Sequence, residues 1–123
     1  MNHRGFSLME CTLAVALLAI LTTLSMPTSD SVWQRGQRAM ARQALAQAQS
    51  WVERGQALTG NAVQALPDPG PWTDGLSYRL SLQTSGEGYV LRAIPQGRQT
   101  GDTCGVLWLA DTGLRGADAA GCW

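Results

Sequence analysis

The sequence predicts an α+β fold, in which a long N-terminal α-helix of two halves packs on a small antiparallel β-sheet. Three observations predict it. From Phe6 to Met26 the chain is apolar apart from one charge, Glu10. From Ser31 to about Leu58, apolar residues recur at the three-and-four spacing of a single helix face. Beyond Gly75 the pattern becomes alternation between short turns, the period of half-buried strands.

The apolar stretch Phe6–Met26 holds 21 residues. A helix of that length rises about 32 Å, close to the ~30 Å hydrocarbon core of a bilayer. An acid inside such a segment is costly, about 2.5–3.5 kcal/mol at mid-membrane, so a retained one marks a function. His3, Arg4 and Gly5 stand just before it. The basic residue suits a cytoplasmic end, and Gly5 offers a side-chain-free peptide bond at the membrane face. An ordinary secretory signal would end in a small-residue cleavage site after a short apolar core. Leu24-Ser25-Met26-Pro27 does not have that form, and Glu10 would be unexplained.

Gly5-Phe6-Ser7-Leu8-Met9-Glu10 followed by an apolar helix resembles the type III signal of type IV pilins and their pseudopilin relatives. The resemblance implies cleavage by a prepilin peptidase between Gly5 and Phe6, N-methylation of Phe6, and Glu10 as the assembly glutamate. Phe6 and Glu10 are four apart and share one helix face. In a filament, Glu10 of one subunit can therefore neutralise the new Phe6 amine of a neighbour. The implied organisation is a leader peptide (1–5), a transmembrane or filament-core helix (6–27), an amphipathic helix (28–58) and a loop-and-sheet region (59–123).

Pro27 either ends the first helix or kinks one long helix, since it lacks the amide donor and disfavours helix at Met26. In the second half, Met40, Ala41, Ala44, Leu45, Ala48, Trp51 and Val52 form the apolar stripe. Arg38, Arg42, Gln49 and Glu53 fall largely outside it. Helix packed on sheet is the preferred reading of that stripe over a coiled-coil seam. Residues 55–74 are turn-rich, and Pro67, Pro69 and Pro71 exclude a helix or a central strand there. Trp72 is expected to cover apolar surface.

Leu76, Tyr78, Leu80 and Leu82 alternate along a first strand, residues 76–83. Residues 84–88 turn the chain, residues 89–94 run back, and Pro95 ends that strand. Residues 105–109 make a third strand, giving a three-stranded meander with one face for the helix to cover. The stretch from Tyr89 to Pro95, the run Asp102–Leu109, Thr112-Gly113 and the terminal Cys122-Trp123 resemble the C-terminal block of PilE-like minor pilins. Only eight residues, Leu114 to Gly121, separate the last turn from Cys122.

Acids and bases balance at nine each, so no global charge points to nucleic acid or anionic lipid. If Arg4 stays inside, the folded part lies outside the cytoplasm, where disulfides persist. Cys104 and Cys122 are then expected to pair, whereas Cys11 is a small apolar residue of the first helix. No metal site is expected, because the single His3 sits in the leader. No cofactor or enzyme activity is expected either. There is no Ser-His or Cys-His pair, and Asp102 and Asp111 read as turn residues rather than a carboxylate pair.

Two functions compete. One is a structural pilin subunit, held in the inner membrane and then assembled with other pilin subunits by the pilus machinery into an extracellular filament for adhesion, twitching motility or DNA uptake. The other is a DNA-binding competence pilin, for which the loop-and-sheet region carries Arg79, Arg92, Arg98 and Arg115, with Arg79 and Arg92 expected to face outward together. A pseudopilin of a type II secretion system uses the same signal.

Overall fold

The computed structural model describes residues 5, 7–24 and 29–123. They fall into two compact units, one reaching to Val32 and one running from Trp33 to Trp123.

In the first unit, helix α1 spans Leu8–Leu24. Ser7 precedes it, and its Oγ accepts the Glu10 amide at 3.2 Å. Ser7 thus caps the helix by satisfying one of its free first-turn amides. At 17 residues α1 is about 25 Å long. Among the described residues, no helix is long and apolar enough to cross a membrane. Helix α1 lies inside the expected span 6–27, whose two ends are outside the described residues. Phe6, Ser25, Met26 and Pro27 lie outside the described residues, and with them the question of a kink at Pro27.

Helix α2 spans Ser29–Thr59 and carries the second unit's helical layer from Trp33 onward. Ala41, Ala44, Leu45, Ala48 and Val52 are its buried stripe, as the spacing predicts. Met40 is largely exposed and Trp51 only half-buried, so they flank the stripe rather than fill it. The alanines let the helix backbone approach the sheet, and Leu45 and Val52 fill the remaining depth. Each such fully buried side chain contributes about 1.5–3 kcal/mol of hydrophobic stabilisation.

The sheet has four antiparallel strands in the order β1-β2-β3-β4: β1 Tyr78–Ser85, β2 Gly88–Pro95, β3 Leu107–Ala110 and β4 Arg115–Ala117. Leu82 stands opposite Leu91, and Leu91 opposite Leu109, on the face turned to α2. The fourth strand was not expected, because three residues are too few for an alternating pattern to show. A short 3-10 turn, Gly97–Gly101, follows β2.

The turn-rich stretch is anchored rather than loose. Trp72 joins the core, and Gln37 on α2 staples the chain where it enters β1. Its amide donates to the Gly75 carbonyl at 3.0 Å and accepts the Ser77 amide at 2.7 Å. A disulfide joins Cys104 to Cys122.

Beside the disulfide lies a polar cluster that the sequence did not reveal. Arg38 Nε is 3.0 Å from Asp102 Oδ2, close enough for an ion pair although the N–H is poorly aligned as a hydrogen bond. Asp102 also accepts from the Gln99 side chain at 2.9 Å and from the Cys104 amide at 3.2 Å. Gln99, fully buried, donates its other N–H to the Tyr78 hydroxyl at 2.9 Å, and the Gln34 carbonyl lies 3.3 Å from the same nitrogen. Asp102 is thus more than a turn residue: it ties α2 to the disulfide-bearing segment. Asp111 does lie in a turn, at the other end of β3.

Candidate nucleic-acid interface

The four strands carry three arginines, Arg79, Arg92 and Arg115, and no acid. Pleating alternates side chains between the two faces, and the buried set Tyr78, Leu91, Ala93, Leu107 and Leu109 fixes which face meets α2. Arg79 and Arg92 therefore point to the opposite face, and both are exposed.

On that outer face one row crosses the whole sheet. Ser81 stands opposite Arg92, Arg92 opposite Trp108, and Trp108 opposite Gly116. Arg79, opposite Ile94, lies one step along the strand from Ser81 and diagonal to Arg92. The Trp108 indole extends over Gly116, where a Cβ would come within 2.7 Å of the ring. With no side chain at Gly116, the indole can lie down on β4 instead of standing off the sheet. The result is a flat surface of two guanidinium groups and one indole. Such a surface can neutralise phosphates and stack against bases or sugars.

The other sequence-predicted cations are elsewhere. Arg115 stands opposite Leu109 and so faces the helix side. Arg98 lies on the 3-10 turn, its guanidinium carbon 4.8 Å from the centroid of the Trp33 ring. Trp108 was read only as part of a strand, and its partnership with Arg92 depends on register. Beneath the sheet, burial raises the Tyr78 and Tyr89 hydroxyls above the ordinary tyrosine value of 10.0. Both remain neutral donors at physiological pH. Among the described residues, no cluster of three or more His, Cys, Asp or Glu could hold a metal.

Residues 27–108 match the profile of the type IV minor pilin ComP, DNA uptake sequence receptor. That stretch is about two thirds of the chain. The chain belongs to this type IV minor pilin family. No curated protein matches it. The pilin's matched stretch takes in α2 from its start, β1, β2 and Trp108, and therefore Arg79 and Arg92 as well. The segment from Leu109 to Trp123, with β4 and Cys122, lies beyond it.

Of the residues expected to form a processing signal, Gly5 is exposed ahead of α1 and Glu10 is exposed in its first turn. The Glu10 carboxylate makes no hydrogen bond or ion pair among the described residues. Phe6 lies outside the described residues.

Proposed function

We propose that this minor pilin is a non-enzymatic receptor for duplex DNA, presented on a type IV pilus and acting in DNA uptake. One observation carries the reading: an acid-free sheet whose outer face sets Arg79 and Arg92 beside the flat-lying Trp108. The family's own description as a DNA uptake sequence receptor supports it.

In this reading residues 1–5 are a leader cut after Gly5, and residues 6–27 anchor the precursor in the inner membrane and later enter the filament core. Residues 28–58 and 59–123 form the exported body. N-methyl-Phe6 is the mature terminus, and Glu10, whose carboxylate forms no ion pair among the described residues, neutralises the Phe6 amine of a neighbouring pilin. The sheet then faces outward, where the Arg79 and Arg92 guanidiniums bind backbone phosphates and Trp108 packs against the groove wall.

The test is fluorescence anisotropy of a labelled duplex with the purified chain over a salt series. Binding should weaken as salt rises, with a slope of about −0.9 per phosphate neutralised. The double variant Arg79→Gln/Arg92→Gln should lose affinity and flatten that slope by nearly two such increments. Unchanged binding by the double variant would sink the assignment of this face.

A further inference from the structure

The helix side of the sheet carries a second cationic feature that duplex capture does not use. Between α2 and the β3–β4 pair lies an open groove of about 510 Å³, within the ordinary range of small-ligand sites. Ala46 and Leu109 form its apolar floor, and Arg42, Gln49, Arg115 and Trp123 rise around it. The Arg115 guanidinium carbon sits 5.4 Å from the centroid of the Trp123 ring. The Trp123 Nε1–H donates to the Gly116 carbonyl, which fixes the indole by its edge. Arg42 reaches across from α2 and donates to the Cys122 carbonyl at 3.4 Å. No acidic side chain lines the groove, and neither Arg42 nor Arg115 forms an ion pair among the described residues.

We propose that this groove seats one unpaired nucleotide of a single DNA strand. At 5.4 Å the Arg115 guanidinium and the Trp123 ring leave no room for a base between them and form one cation–π platform, against which a base stacks, a contact open to all four bases because each has a π-face. Arg42 binds the adjoining phosphate, and Gln43 and Gln49 line the same groove. A carboxylate-bearing peptide would satisfy the cations but leave the aromatic platform unused. The floor and the platform therefore favour a nucleotide. Arg42 and Gln49 lie within the stretch that matches the family, whereas Arg115 and Trp123 lie beyond it. The inference rests on the reading that the pilin contacts DNA, and it names another face and another form of DNA.

The test uses the full chain and a labelled oligothymidylate of about twelve nucleotides, in the range of single-strand site sizes, with a duplex of equal length in parallel. Trp123→Ala and Arg42→Gln should each weaken oligothymidylate binding about tenfold while duplex binding stays within about twofold, a stacking-sized loss. Trp123→Phe, which keeps a ring, should restore most of the affinity and guards against a folding artefact in Trp123→Ala. Arg79→Gln/Arg92→Gln should do the reverse, weakening the duplex and sparing the single strand. The groove assignment is overturned if oligothymidylate does not bind, or if Trp123→Ala binds it like wild type. It is equally overturned if Trp123→Phe is as weak as Trp123→Ala, or if oligoglutamate displaces the strand as well as unlabelled oligothymidylate does. Duplex binding without single-strand binding ends this inference and leaves the receptor function standing. Loss of both forms ends that function too.

Discussion

The indole of Trp108 lies over Gly116, its partner on β4, and occupies the space that any side chain at that position would need. Gly116→Ala puts a Cβ 2.7 Å from the ring, so the indole must lift. The expected cost is about 1–3 kcal/mol, as for other overpacked sites, read as a lower urea midpoint. Duplex affinity should fall as well, because the outer face loses its flat aromatic member. A variant with wild-type stability and affinity would show that the indole's position carries no weight.

Asp102 is the partner that makes a half-buried Arg38 tolerable. Its side chain is 2% exposed and that of Arg38 21%. Asp102→Ala leaves the guanidinium without its counter-charge, takes one of its acceptors from Gln99 and leaves the Cys104 amide without the carboxylate that accepts from it. Stability should drop by about 3 kcal/mol, the lower end for a broken buried pair because Arg38 retains some water. Replacing both members, Arg38→Met with Asp102→Leu, should recover much of that loss. Chemical denaturation of the three variants separates the outcomes.

Stability should be flat towards alkaline pH and then fall. Burial is the leading cause of the raised Tyr78 and Tyr89 hydroxyls, so the folded state holds their protons more tightly than the unfolded chain does. The unfolded chain ionises first, from its ordinary value of 10.0, and unfolding gains from that point upward. The contribution is fully present below pH 10 and is lost as pH rises through the folded values. Denaturation midpoints across pH 8 to 11, beside tyrosinate absorbance, check it. Tyr78→Phe should blunt the decline.

Glu10 distinguishes an assembly residue from an ordinary member of the first turn of α1. If its charge only complements the helix N-terminus, Glu10→Gln should be processed and assembled like wild type. If it neutralises a neighbour's Phe6 amine, Glu10→Gln and Glu10→Val should both be processed yet vanish from sheared pili. Immunoblots of membrane and sheared fractions decide between them, and mass spectrometry of the wild-type fraction should find N-methylated Phe6.

The sequence by itself determined the two helical stretches, the first three strands and their inward faces. The Ala41–Val52 stripe and the Tyr78–Leu82 alternation are local periodicities, and burial follows period whenever only one face can be covered. The outward direction of Arg79 and Arg92 followed from the same alternation. The single acid of the apolar stretch, Glu10, was equally conspicuous in one dimension.

Tertiary structure decided whatever depends on two distant segments meeting. Strand β4 exists because Arg115–Ala117 finds an edge on β3, not because its own three residues favour a strand. Register set Trp108 opposite Arg92 and over Gly116, and a one-residue slip would have sent the indole to the core. Arg38 read as a solvated helix residue, yet it meets Asp102, 64 positions later in sequence, beside the disulfide. The groove of Arg42, Arg115 and Trp123 likewise joins α2 to the last strand and the C-terminal residue. Pairings of this kind leave no periodic trace, because their energy comes from contacts that exist only once the chain has closed on itself.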